Sequence, residues 1–363
     1  MATPEQLVRY LTPPIIEPRN IDKQVLCHRP TRSKHPAMNA LCINNQIVVN
    51  NYGHAGFGWI MAPGATEHVL SQMATLLPVK STQLPITIIG AGIMGLSAAY
   101  QLTLQGFNNL TIVTQETDNL TSHNAVGFFS PSIELGKSWI TPDIKQIIHT
   151  SYAFYQQIIE SQHQDFAAKS AQFLPMYITK ERKSAIRASK HPVTPVTIDF
   201  GNGASHEMVE QHGGIIIHVN LMIQQLHAFL QKHNVPIITE TITKLSDLST
   251  PVVINCAGLG ARELMCDDGI VPMQGHLVHL SNQPATSLEY LIMMDCEKAF
   301  TGTGFQVKRS LYWAPRRYTM DDITLNGIIG VTSIKGANAS TPHQEEFARV
   351  IERARTFFYA TKN

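Results

Sequence analysis

No stretch of this chain stays apolar for long enough to cross a membrane. The longest, Ile86 to Leu102, is broken by Gly90, Gly92 and Gly95. The opening "MATPEQLVRYL" lacks a basic start and a sustained apolar core, so no secretory signal is expected, and the closing "TKN" is no peroxisomal address. Cysteine is scarce. Cys27, Cys42, Cys256, Cys266 and Cys296 are odd in number, widely separated and without a CxxC pair. Reduced thiols in a cytoplasmic protein are therefore expected. Charge bias is missing as well. The 28 basic and 27 acidic residues leave a net +1, which offers no footprint for nucleic acid or an anionic membrane. The 16 histidines are scattered without metal-ligand spacing, so no metal is expected. Internal repeats and low-complexity tracts are absent too.

What is present is an ordinary globular composition, 44% hydrophobic, in 363 residues, enough for one large or two ordinary domains. Strand-like runs are "QIVVNN", "PITIIG", "LTIVT", "PIIT", "PVVINCA", "HLVHL" and "NGIIGVT". Helical patterns are "GIMGLSAAYQLTLQG", "IKQIIHTSYAFYQQIIESQ" and "VNLMIQQLHAFLQKHN", the last with Asn220 as expected cap. Helices are expected at both ends too. "TPEQLVRYL" offers Thr3, Pro4 and Gln6 as a start signal, and "TPHQEEFARVIERARTFF" repeats it with Thr341, Pro342 and Gln344. Alternation of strands and helices predicts an α/β fold with a parallel sheet. The less regular, more polar stretch from Ile140 to about Glu210 reads as part of a second domain inserted into the first.

The most informative motif is "ITIIGAGIMGLSAAYQL". Gly90, Gly92 and Gly95 have G-x-G-x-x-G spacing, after an apolar strand and before a helix rich in Leu and Ala. Gly90 permits a tight turn, Gly92 lets a pyrophosphate touch backbone, and Gly95 lets helix and strand pack closely. The phosphates of a dinucleotide would then sit at a helix N-terminus. The second strand, "LTIVTQE", ends without the usual acid. Thr114 or Gln115 stands there with Glu116 just beyond, so Gln115 and Glu116 are the candidates for ribose. "PVVINCAGLG" brings Gly258 and Gly260 to the end of another buried strand, a further place for close backbone approach. "VVNNYGHAGFGWI" is a second glycine-rich site, ahead of the first.

Together "ITIIGAGIMGLSAAY", "VVINCAGLGAREL", "HRPTR" and "NNYGHAGFGW" resemble the D-amino-acid oxidase family of FAD enzymes, over nearly the whole chain. The resemblance implies a Rossmann-type FAD-binding domain and a second, sheet-based α+β substrate domain. The expected boundaries are 21–135 and 214–265, with the C-terminal helix 341–360, for the first, and 136–213 and 266–333 for the second. FAD would contact Gly90, Ala91, Gly92, Ile93, Met94 and Gly95 at the turn, and Gln115 and Glu116 at the ribose. Ser122, Val126 and Gly127 belong to or adjoin "HNAVGFFSP", which resembles the family's loop near the flavin. Ile242, Gly258 and the loop Gly56, Phe57, Gly58, Trp59 and Ile60 complete the set. In the family the RPxR and NYGHGG segments come last. Here they occupy residues 29 to 60, so the order looks circularly permuted.

The activity implied is oxidation of an amine or amino acid by hydride transfer to flavin N5, with oxygen as acceptor. In "YWAPRR", which resembles the family's substrate strand, Tyr312 matches the tyrosine that contacts the substrate carboxylate, and Lys308 stands where some members have another tyrosine. The substrate arginine maps onto Pro36 and looks absent. That leaves Lys308, Arg309 and Arg32 as replacements, with Lys308 and Arg309 favoured. His54 reads as a loop-fixing residue ahead of a general base, and Cys42 and His54 are conceivable points of covalent flavin attachment. Two other readings stay open, a non-catalytic flavin-binding protein and an NAD-dependent dehydrogenase.

Overall fold

The computed structural model describes residues 7–77, 82–133, 135, 139–179, 186–188, 191–302, 304–318, 325–337 and 343–360. Two sheets organise the chain. The smaller has six strands in the order Ile237–Thr239, Leu110–Thr114, Ile86–Ile89, Val252–Asn255, Gln46–Tyr52 and Ala37–Ile43. All neighbours pair in parallel except the last two, which form a hairpin. Ile86–Ile89 and Val252–Asn255 are buried at every position, which is why they read as unbroken apolar runs rather than alternating ones.

Helices cover this sheet. Ile93–Leu104 follows the central strand, and Gly58–Leu76 follows Gln46–Tyr52. Pro142–Ile159 packs on Gly58–Leu76. Thr141 caps it by accepting from the Ile144 amide at 3.2 Å, Pro142 starts it, and Ile144, Ile147, Ile148, Tyr152, Tyr155 and Ile158 form its buried face. Gly64 permits the contact, because a Cβ there would collide with the Ile147 carbonyl.

The larger sheet has ten strands. Its order is Leu7–Tyr10, Val193–Asp199, Ser205–Ile217, Ala171–Ile178, Leu291–Phe300, Gln306–Arg316, Asn326–Lys335, Ile270–Leu280 and Ile21–Arg32, with Phe128–Phe129 added beside Ser205–Ile217. The helix Gln344–Phe358 lays Phe347, Val350, Ala354, Phe357 and Phe358 against it.

Several sequence expectations are corrected here. The N-terminal segment is not a helix where it is described. Leu7–Tyr10 is an edge strand parallel to Val193–Asp199. Four residues gain more from a sheet ladder than from one helical turn, whose nucleation is unfavourable. Thr3, Pro4 and Gln6, and likewise Thr341 and Pro342, lie outside the described residues. His218, not Asn220, takes the cap position of Val219–Lys232, and the Asn220 side chain accepts from Arg316 instead. The stretch from 140 to 210 resolves into a helix and long strands with one solvent-facing side, which supplies its polar residues.

The expected domain boundaries shift too. Residues 21–32 belong to the large sheet, the C-terminal helix packs on that sheet, and Pro142–Ile159 shares the core of the nucleotide-type sheet. Sequence proximity to the fingerprint set the expected limits, whereas burial of apolar faces sets the observed ones.

Candidate cofactor and active site

The two glycine-rich segments meet. Gly58 and Ile93 adjoin so closely that a Cβ on Gly58 would lie 3.6 Å from the Ile93 side chain. Ser122 joins them. Its hydroxyl accepts from the Ile93 amide at 2.9 Å, and its carbonyl accepts from the Trp59 indole at 2.9 Å. Thr121 extends the junction to the large sheet by donating to the His28 carbonyl at 2.8 Å. Between them lies a cavity of about 1070 Å³ that runs from the C-terminal ends of the parallel strands to the face of the large sheet. Ligands of open α/β sheets bind at that end of the strands.

Every residue nominated for the cofactor lines this cavity except Gly95. Gly95 lies beneath the turn, where a Cβ would collide with the Gly90 carbonyl, so its role is the close packing of helix on strand. Gly90 has φ +99°, and a Cβ would come within 2.5 Å of the Cys256 carbonyl. Only glycine permits that turn. The N-terminus of Ile93–Leu104, where Ser122 takes the first amide, opens into the cavity beside Gly92. Thr114 accepts from the Ala91 amide at 3.3 Å and donates to the Glu116 carbonyl at 2.8 Å. It braces the turn from inside and leaves Gln115 and Glu116 exposed at the rim. Turn glycines, a helix start that faces the cavity and polar side chains at the end of the second strand together fit the pyrophosphate and ribose of a dinucleotide.

The opposite wall is the large sheet. Lys308 and Tyr312 both face the cavity, four residues apart on one side of Gln306–Arg316. Tyr312 packs edge-on to Phe128 with ring centroids 5.4 Å apart. Lys308 pairs with Asp295 at 3.1 Å. Arg309 does not reach the site. It points to the other face, 1% exposed, with two bonds to the buried Glu346 at 2.8 and 2.6 Å and one to Glu297. Side chains of a strand alternate between faces, so adjacent residues 308 and 309 could not both serve the cavity. Arg32 is held by Asp267 at 2.6 Å. Pro36 is not among the residues that line the cavity.

Arg29 is the cation that sequence reasoning missed. It opens the "RPTR" motif, ahead of Pro36, the position onto which the family's substrate arginine maps. It lines the cavity and donates to the Thr332 carbonyl at 2.7 Å and the Ser333 hydroxyl at 2.9 Å, while its buried Nε has no partner among the described residues. Nothing within the motif singles it out, because the side of the strand that meets a ligand is set by its neighbours in the sheet. Arg29 and Thr31 lie on one face of Ile21–Arg32, and Val331, Ser333 and Lys335 on one face of Asn326–Lys335, all lining the cavity.

His54 also lines the cavity. It is 3% exposed, its Nε2 has no partner, and burial pulls its pKa down to about 3. It is a neutral imidazole at ordinary pH, and its backbone fixes the loop by accepting from the Phe57 amide at 2.9 Å. Cys42 is not among the lining residues.

Arg316 ends the substrate strand with a different task. It is 2% exposed and donates to the carbonyls of His123 and Ala125, both at 2.6 Å, and to Asn220 at 2.8 Å. Ala125, Val126 and Gly127 line the cavity, so this one side chain ties the cofactor-facing loop to the strand that carries Tyr312.

A family model described as FAD dependent oxidoreductase matches residues 85–362. The chain belongs to that family. Residues 29–33 and 51–60 lie ahead of the matched region and line the same cavity. D-amino-acid oxidase from Streptomyces coelicolor is 29% identical over 112 residues, so the chain spans 31% of itself and 29% of that relative in the match. Among solved structures, glycine oxidase from Bacillus cereus superposes with a TM-score of 0.54 at 13% identity, over 76% of this chain and 80% of that one. Iminodiacetate oxidase from Chelativorans sp. BNC1 gives 0.51 at 15% identity, over 75% and 78%. These likenesses establish the FAD-dependent oxidoreductase fold. Among the described residues no helix is long and apolar enough to cross a membrane.

Proposed function

We propose that the protein oxidises the amine-bearing carbon of a small amino acid or amine, with FAD as cofactor and oxygen as acceptor. One observation carries this reading. Two glycine loops converge on one cavity opposite a sheet wall that offers Arg29 and Tyr312. Bound FAD supplies the hydride acceptor and its reoxidation by oxygen. Gly90, Gly92 and the start of Ile93–Leu104 would hold its phosphates, Gln115 and Glu116 its ribose, and the loop 56–60 its flavin.

The protein's own part is binding and orientation. Arg29, braced by Thr332 and Ser333, presents its free edge to a carboxylate. The Tyr312 hydroxyl donates to the same group. Leu277, Met293 and Val331 line the wall around them and keep water from the reacting carbon. His54 is too deeply buried to act as a charged acid, so the amine must arrive neutral.

The test is a spectrum of the purified protein before and after anaerobic addition of D- and L-amino acids and simple amines. A yellow protein whose flavin band bleaches supports the oxidase. A yellow protein bleached by no amine marks a non-catalytic flavin-binding protein. A colourless protein that takes NAD sinks both.

A further inference from the structure

The charged residues that line the cavity are segregated. Glu116 and Glu240 lie at the ends of the parallel strands, where the nucleotide would be held, and all the lysines and arginines lie on the segments of the large sheet. Two of these cations are neutralised within the protein, Arg32 by Asp267 and Lys308 by Asp295. The other two, Arg29 and Lys335, have no carboxylate partner among the described residues. They belong to one row across the sheet. Arg29 is in register with Met273, and Met273 with Lys335. Two strand spacings put their backbones about 10 Å apart. Ser333, which accepts from Arg29 at 2.9 Å, lies on the same face as Lys335, two residues away.

A single carboxylate at Arg29 leaves Lys335, which lines the same cavity and is solvent-exposed, available for a second. We infer that the substrate carries two carboxylates, the one beside its amine held by Arg29 and a second received by Lys335. An acidic amino acid or an iminodiacid has the required charge and reach, and the long lysine stem spans the remaining distance. The inference rests on the oxidase reading above and adds the substrate class.

The experiment compares anaerobic flavin reduction in the FAD-loaded protein by aspartate and glutamate, in both enantiomers, with asparagine and glutamine, which have nearly the same shape without the second charge. Iminodiacetate is run beside N-methylglycine. The acids should show an apparent second-order rate constant about tenfold or more above their amides at low salt, shrinking as salt rises. Lys335→Gln should bring the acid-to-amide ratio close to one, and Lys335→Arg should restore it. Equal rates for acid and amide in the unaltered protein overturn the inference and leave the oxidase reading standing. So does a Lys335→Gln protein that keeps the full ratio. If no amine bleaches the flavin, the oxidase reading falls and takes this inference with it.

Discussion

At the scale of single residues, the site turns on which cations face the cavity and which are tied up in the fold. Arg29 and Arg309 have the same side chain and opposite fates. Arg29 lines the cavity with no carboxylate partner among the described residues, whereas Arg309 closes on Glu346 and Glu297 behind the sheet. Arg29→Lys keeps the charge and loses the planar fork. KM for an amino-acid substrate should rise by about 10- to 100-fold, with a smaller change in kcat, while an amine without a carboxylate should be little affected. Steady-state kinetics with both substrate types would check this, and an unchanged KM for the amino acid would remove Arg29 from the site. "HRPTR" was visible as a motif in the sequence. Which of its arginines faces a ligand was not, because that depends on strand parity relative to a partner some 300 residues away.

At the scale of elements, the decisive feature is how three loops are locked together. Ser122 bonds both glycine loops, and Arg316 pins the neighbouring segment 123–125 to the end of the substrate strand. Burial lowers the Arg316 pKa to about 10, still charged at neutral pH, and the carbonyls it satisfies are the compensation for that burial. Lysine cannot hold both carbonyls and Asn220 with the same geometry. Arg316→Lys should therefore weaken FAD binding by about tenfold, the scale of one charged hydrogen bond lost, and alter the visible circular dichroism of the bound flavin. Titration of the apoprotein with FAD would report it, and an identical affinity and spectrum would show that the loop holds its position unaided. The strand–turn–helix around Gly90 was legible because its cause is local, a left-handed glycine and a close-packed helix. The clamp was not, since "YWAPRR" gives no local sign of what its first arginine, Arg316, would touch.

At the scale of the whole molecule, the order of segments and the burial of histidines have consequences. We propose that the chain is circularly permuted relative to its family, because residues 29–33 and 51–60 precede the matched region and line the same cavity. The last helix meets the early segment in space. Tyr359 donates to the Pro14 carbonyl at 2.6 Å and Arg355 to the Ile16 carbonyl at 2.8 Å. A rearranged gene opened within 78–81, with residue 360 joined to residue 7 by a short linker, should yield a folded protein that binds FAD. Gel filtration and the flavin spectrum would decide, and an insoluble or colourless product would count against it.

The second consequence concerns pH. Burial holds His54, His218 and His279 down to about 3 and His276 to about 4. Their unfolded forms take a proton near 6.5. Above that value both states are neutral and stability does not depend on these groups. Between 6.5 and about 4 the unfolded state binds more protons, so stability is lost as pH falls, by at most about 1.4 kcal/mol per pH unit for each histidine. Melting temperature should drop steeply from pH 6.5 to 5 and stay level from 7 to 8. A flat profile across pH 5 to 8 would show that these imidazoles are not buried in the neutral form.

The sequence by itself determined the parts whose causes lie within a few residues: the glycine turn at 90–95, the buried parallel strands, the helical faces and the family to which they belong. The residues nominated for FAD, Gly95 apart, line one cavity, and those around Gly90 and Gln115 could be found because they follow strands recognisable from their own apolar runs. Tertiary contacts alone settle that Arg29 lines the cavity while Arg309 does not, that Lys335 has no carboxylate partner among the described residues, and that Leu7–Tyr10 form a strand. Those outcomes depend on register between segments far apart in the chain, and a one-residue difference in register puts a side chain on the opposite face of the sheet.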